Sequence, residues 1–310
     1  MATATLALLE EAFATTAAVT AADRLGVFER IDGAGVDTAT LARDCGISER
    51  GAALLLGALV RLGLAQEDRG RYQAALVDLS FVRGRVSSWE RLAPALQQGG
   101  EAAGNTPGGA ESLYAELADG LGRFFTRAAE SAACRLARPG LRILDAGSGA
   151  APWSIAIAAR EPDCTVTALD LPAILPAARR AAAAAGVQDR FRFVAGDLFT
   201  FEIKPRWYDL VIAANVCHLF DEGANCGLVG RLADAVRPRG TLAIVDVLLD
   251  STRPVALYAL GLMTRTRTGR VYPLEAYESW AYEAGLGPIE QLPLPGSFPL
   301  RLLVARRGTR

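Results

Sequence analysis

Apolar residues recur at helical spacing from the start of the chain. Leu6, Leu9, Phe13 and Val19 are followed by Leu25, Val27, Phe28 and Ile31, so residues 4–30 are expected to form one or two helices. Asp37-Thr38 through Cys45-Gly46 reads as a short capped helix with a stop. Ile47-Ser48-Glu49 then opens a longer helix to about Leu62, with Gly63 at its C-terminal end. Leu64 to Tyr72 is strand-like on both sides of Asp68-Arg69-Gly70, which predicts a hairpin. Two helices and a hairpin in this order make a winged helix-turn-helix. Residues 84–110 carry Trp89, Gln97-Gln98-Gly99-Gly100 and Gly104-Asn105-Thr106-Pro107-Gly108-Gly109, and are expected to be a loop or lid. A helix from about Ala110 to Leu136, with Tyr114, Leu117, Leu121, Phe124 and Phe125, ends before Pro139-Gly140.

Beyond Gly140 the period alternates between strands and helices. Leu141–Leu144 runs into Asp145 and the turn Ala146-Gly147-Ser148-Gly149, and an alanine-rich helix follows over 154–160. Thr165–Leu169 ends at Asp170, Arg190–Gly196 at Asp197, and Trp207–Asn215 forms a fourth strand. A helix from about Gly223 to Val236 stops at Arg237-Pro238-Arg239-Gly240, and Thr241–Val245 ends at Asp246. After a further helix over 274–284, Ile289–Leu294 and Leu300–Arg306 read as an antiparallel pair at the sheet edge. This is an α/β fold with a Rossmann-like doubly wound sheet behind an N-terminal, mostly α winged-helix domain. The expected division is 1–83, 84–138 and 139–310.

Three acids at three successive strand ends describe a nucleoside pocket. Asp145 precedes the glycine turn, where it would repel a pyrophosphate and suit an amino-bearing ligand. Asp170 is placed to accept from ribose hydroxyls and Asp197 from an adenine amine. Pro152 stands where a third dinucleotide-binding glycine would be, which disfavours a nicotinamide dehydrogenase. The ligand that suits the set is S-adenosylmethionine, with Asp145, Gly147, Ser148, Gly149, Asp170, Leu171, Asp197, Leu198 and Asn215 as candidate binding residues.

A net charge of −1 gives no electrostatic case for nucleic acid or an anionic membrane. The second helix of the helix-turn-helix, Arg50–Leu62, offers only two arginines among aliphatics. That makes it a poor reader of base edges and a helix expected to be buried, at a subunit interface. Lys204 is the sole lysine among 33 basic residues, a composition that reads as a GC-rich bacterial genome. Cys45, Cys134, Cys164, Cys217 and Cys226 are scattered with no C-x-x-C pair, which fits a reducing cytoplasm and argues against zinc. No metal site, signal peptide or membrane span is expected.

The chain resembles the class I S-adenosylmethionine-dependent methyltransferases. More closely, it is similar to the small-molecule O-methyltransferases with a winged-helix dimerisation domain, among them plant caffeate-type and bacterial polyketide-tailoring enzymes. The resemblance rests on Ala22–Phe28, Leu59–Leu64, Asp145-x-Gly147-x-Gly149, Asp170, Gly196-Asp197-Leu198, Val216–Glu222 and Arg237–Gly240. It implies the sheet order 3-2-1-4-5-7-6, a homodimer formed through the N-terminal domains, and methyl transfer to an oxygen of a small, aromatic or polyketide-type metabolite in bacterial secondary metabolism.

His218, the sole histidine in 310 residues, falls where such enzymes keep the base that deprotonates a phenol. Imidazole exchanges protons near neutral pH, whereas a phenol holds its proton to about pH 10. Of the two acids that flank this base in caffeate-type relatives, one matches Asp246 and the other falls on Val271, so the orienting groups are expected to be halved. Trp89, Phe124, Phe125 and Met263, with Tyr114, Trp153 and Tyr258, are candidates for an apolar wall around a planar acceptor. Arg265 and Arg267 are candidates for an anionic group on it. The alternatives are a C- or N-methyltransferase, a non-methylating relative of hydroxylase or decarboxylase type, and a ligand-sensing regulator.

Overall fold

The computed structural model describes residues 2–31, 35–75, 88–100, 107–296 and 298–309. They belong to two compact units, Met1–Ser87 and Ser88–Arg310.

In the first unit α1 (Ala2–Arg24) and α2 (Val27–Arg30) precede α3 (Thr38–Cys45) and α4 (Glu49–Arg61). A hairpin of β1 (Ala65–Asp68) and β2 (Arg71–Ala74) completes the winged helix-turn-helix. Both helix starts carry side-chain caps. Asp37 accepts from the Thr40 N–H at 2.8 Å and Ser48 from the Gly51 N–H at 3.0 Å, satisfying amides that the first turn leaves open. Val27, Ile31, Leu41, Leu56 and Leu59 form the core. Within the chain, Ala52, Leu56 and Leu59 make one buried stripe of α4, while Leu54 is 64% exposed. Only residues at i, i+4 and i+7 can face a single neighbouring layer. On α1, Leu6, Leu9 and Phe13 are likewise exposed.

The second unit begins with α5 (Leu92–Gln98) and the long α6 (Pro107–Leu136). Part of the stretch expected to be a loop is therefore helical; residues 84–87 and 101–106 lie outside the described ones. Only Ala95 of α5 is buried, so its apolar spacing was too sparse to signal a helix. Then follow β3 (Arg142–Ala146), α7 (Pro152–Arg160), β4 (Thr165–Asp170), α8 (Leu175–Ala184), β5 (Phe191–Ala195), β6 (Tyr208–Ala214), α9 (Glu222–Ala235), β7 (Val236–Val247), α10 (Arg253–Leu262), α11 (Leu274–Glu283), β8 (Glu290–Pro293) and β9 (Leu300–Arg306).

The seven strands lie in the order β5-β4-β3-β6-β7-β9-β8, which is 3-2-1-4-5-7-6 counted within the sheet. The five from β5 to β7 are parallel and β9 inserts antiparallel between β7 and β8. Chain order reverses between β3 and β6, and the carboxyl ends of strands at such a switch point open a crevice. Two details differ from expectation. The Arg237–Gly240 stretch belongs to β7, with a register shift between Tyr208 and Leu210 on its neighbour, and Asp246 lies inside that strand.

Candidate active site

A cavity of about 570 Å³ opens at the carboxyl ends of β3, β4 and β5. Gly147, Ser148, Gly149, Asp170, Leu171, Asp197, Leu198 and Asn215 all line it, as do Tyr114, Phe125, Trp153 and Thr268. Gly147 has φ 71°, and a Cβ there would come within 2.8 Å of Val216, so the turn closes only on glycine. Asp170 ends β4, its carboxylate accepting from the Gly149 N–H at 2.7 Å and the Leu171 N–H at 2.8 Å. Asp197 lies two residues beyond β5 and accepts from the Phe199 N–H.

Asp145 sits inside β3, beneath the turn and not among the lining residues. It is fully buried; one carboxylate oxygen takes the Ser154 hydroxyl and the other has no partner. Ser148 Oγ, on the cavity wall, is also buried without a partner. Burial pushes the Asp145 carboxyl up to about 7, against the Ser154 hydrogen bond and with help from the Asp170 charge. Burial raises Asp170 to about 6, opposed by its two backbone N–H donors. A desolvated carboxylate and an unpaired hydroxyl lining a cavity are suited to a ligand that brings hydrogen-bonding groups.

His218 lies in a single 3-10 turn, Cys217–Leu219, after β6. It is buried, and its neighbours Val216 and Leu219 line the cavity. Its Nδ1 is 2.7 Å from Asp246 Oδ1. Asp246, wholly buried in β7, also accepts from the backbone N–H of His218 at 3.2 Å and of Val247 at 2.9 Å. Facing a carboxylate, Nδ1 carries the ring proton and leaves Nε2 as the acceptor. The Tyr258 hydroxyl, on α10, occupies that nitrogen at 2.9 Å.

Val271 is buried and brings no charge to His218. The second contact that a flanking acid would have supplied comes from Tyr258. Nothing in the spacing of Tyr258 pointed to that role; the sequence placed it among wall aromatics. Gly269, two residues before Val271, packs so closely that a Cβ would lie 2.4 Å from the His218 carbonyl. Behind Asp246 the Tyr277 hydroxyl is buried without a partner, its phenol pushed up first by burial and then by the Asp246 charge.

The expected wall divides. Phe125 meets Trp153 at 6.1 Å between ring centroids, and both line the cavity. Phe124 and Tyr258 instead pack edge-on against Phe298, and Trp89 and Met263 are half-buried away from the lining. Arg265 is buried and lies over the Tyr258 ring, whereas Arg267 is exposed.

A doubly wound sheet with a glycine turn, strand-end acids and a buried Asp–His pair defines a class I methyltransferase. The sequence carries this further: residues 133–287 match the O-methyltransferase domain family, and the chain belongs to that family. It is similar to a 3-hydroxy-5-methyl-1-naphthoate 3-O-methyltransferase of Streptomyces sahachiroi, with 28% identity over 88% of this chain and 86% of that one. It is also similar to the acetylserotonin O-methyltransferase of Rattus norvegicus, with 30% identity over 97% of this chain and 76% of that one. Among solved structures, human N-acetylserotonin methyltransferase in complex with S-adenosylmethionine superimposes with a TM-score of 0.76 at 22% identity, covering 100% and 98% of the two chains. The protein is an O-methyltransferase of small metabolites, and S-adenosylmethionine is its cofactor. No helix among the described residues is long and apolar enough to cross a membrane.

Proposed function

We propose that the protein methylates a hydroxyl on an aromatic, polyketide-type metabolite, with His218 as general base. The observation that carries this reading is the Asp246–His218 pair, buried beside the cavity at the carboxyl edge of the sheet. The relative that acts on a hydroxynaphthoate supports an aromatic acceptor of bacterial secondary metabolism.

The cavity-lining residues fit S-adenosylmethionine. The Asp170 carboxylate would accept from the ribose, Asp197 from the adenine, and the orphaned Ser148 Oγ would face the amino-acid end, with Asp145 buried beneath the turn. Gly147, Gly149, Leu171, Leu198 and Asn215 shape the walls. When bound, the cofactor supplies an electrophilic methyl on a sulfonium. His218 Nε2 would take the proton from the acceptor hydroxyl and so leave its oxygen able to receive a methyl group. Asp246 holds the imidazole in the required tautomer and stabilises it once charged. Positioning contributes much of the rest. Phe125 and Trp153 provide apolar surface for a planar ring.

Residues 1–83 are proposed to form a homodimer, 84–138 to cover the acceptor and 139–310 to bind the cofactor. The exposed Leu6, Leu9, Phe13 and Leu54 support the first of these. Five free cysteines are consistent with a cytoplasmic setting.

The test is a panel of phenolic, enolic and carboxylate metabolites incubated with S-adenosylmethionine, followed by mass and by S-adenosylhomocysteine release. An O-methylated aromatic formed by the wild type and lost in His218→Ala supports the reading. Methylation at carbon or nitrogen, or cofactor binding with no methylated product, overturns it.

A further inference from the structure

Among the described residues, Arg265 is a buried cation without a counter-ion. Its residue is 9% exposed, and its guanidinium lies 5.2 Å from the centre of the Tyr258 ring. It makes no hydrogen bond or ion pair with any described residue. Its nitrogens are not sealed in protein either, since they are absent from the fully buried polar atoms that lack a partner. Arginine stays charged at any working pH, so it cannot escape the cost of burial by losing a proton. A desolvated charge of this kind is kept where a partner arrives to pair with it. Stacking on one phenol ring offsets part of that cost and leaves all five N–H donors unused.

The backbone that carries Arg265 is pinned. Its own amide donates to the Leu262 carbonyl at 3.0 Å, and the Thr266 amide to the same carbonyl at 2.8 Å. The Thr264 hydroxyl reaches the Gly261 carbonyl at 2.8 Å and Ser88 Oγ at 2.6 Å. Gly100 lies so close above that a Cβ there would meet the Thr266 carbonyl at 2.4 Å. Arg267 and Arg270, on the same stretch, are exposed and solvated. Of the three arginines only Arg265 is both desolvated and fixed, and the ring it covers is the one hydrogen-bonded to His218.

We propose that Arg265 binds an anionic group, a carboxylate in chemical class, on the acceptor itself. The acceptor is then a hydroxylated aromatic acid, its hydroxyl directed to His218 and its carboxylate held by the guanidinium on the far side of the Tyr258 ring. This rests on the O-methyltransferase reading and narrows its substrate class. A planar carboxylate matches the fork of guanidinium donors in a way that a neutral amide or ester cannot.

The test uses hydroxynaphthoic and hydroxybenzoic acids against their carboxamides and methyl esters. Affinity is read by calorimetry in the presence of S-adenosylhomocysteine, and turnover with S-adenosylmethionine. The wild type should bind at least one acid about 10-fold or more tighter than its amide. Arg265→Gln should abolish that gap, Arg265→Lys should keep part of it, and S-adenosylhomocysteine affinity should not change. Because the charge is unpaired, Arg265→Met should melt no lower than the wild type without ligand, yet lose the thermal shift that the acid gives. A panel in which no acid outbinds its amide overturns the proposal, as does a gap that survives in Arg265→Gln. Neutral phenols methylated as well as the acids overturn it while leaving the methyltransferase reading intact. Acids that bind through Arg265 but are never methylated overturn that reading instead.

Discussion

The Tyr258 hydroxyl and His218 Nε2 lie 2.9 Å apart, on the opposite side of the imidazole from Asp246. The nitrogen that would accept the acceptor's proton is thus already satisfied by a phenol of the protein. A phenol seated there shows what the site can recognise. An incoming hydroxyl must take over the same hydrogen bond.

Replacing Tyr258 by Phe should remove that competitor. The expected result is a KM for the acceptor lower by about 2–10-fold, the worth of one hydrogen bond, with kcat little changed. Steady-state kinetics of Tyr258→Phe checks this. A kcat that collapses at unchanged KM would mean that the proton travels through Tyr258.

His218→Ala should lower kcat by roughly 10²–10⁴-fold and leave S-adenosylhomocysteine affinity nearly unchanged. Asp246→Asn should cost less, on the order of 10–100-fold, because it disturbs the tautomer but spares the base. Near-wild-type turnover in His218→Ala would end the general-base assignment.

Asp145 gives a pH signature in the cofactor-free protein. Its carboxyl is held at about 7 by burial against 3.8 for the ordinary group, and Asp170 at about 6. Between pH 4 and 7 the folded chain therefore binds more protons than the unfolded one. Stability falls as pH rises through that window. Asp145→Asn should flatten the fall and raise the melting temperature at pH 8, where the wild type holds a buried charge. Thermal melts from pH 5 to 8 read the difference; a wild type that gains stability over that range would contradict it.

The exposed Leu6, Leu9 and Phe13 of α1 and Leu54 of α4 should be covered in a two-fold dimer. Sedimentation at micromolar concentration should show the dimer, and Phe13→Glu with Leu54→Glu should weaken it. A wild-type monomer would rule it out.

Period and punctuation made the sheet legible. Apolar runs ending in Asp145, Asp170 and Asp197 marked β3, β4 and β5, and Asp37-Thr38 and Ile47-Ser48-Glu49 marked helix starts. Strand order followed only through the family resemblance, since no local pattern says that β9 slots between β7 and β8. The cavity lining was readable because it is made by turns at strand ends, a local feature. Tyr258 and Arg265 were not readable in the same way. Tyr258 is 40 residues from His218, and their meeting depends on how α10 packs against the sheet. The three arginines of 265–270 look alike in sequence. Only packing under Gly100 and beside Tyr258 separates the buried one from its exposed neighbours. Helix α5 escaped notice because a single buried alanine carries its packing.

Asp246 and Tyr258 hold the two nitrogens of one imidazole from elements of very different stiffness. Strand β7 is bonded on both sides, to β6 and to β9, so moving Asp246 would mean breaking the middle of the sheet. Helix α10 belongs to no ladder and leaves Leu257 and Leu260 exposed. Displacing Tyr258 therefore asks for a local excursion of one short helix, while the orientation of the base stays fixed. Amide exchange should be slow along β7 and faster along α10, so the traffic of acceptors and the alignment of the base are governed by separate clocks.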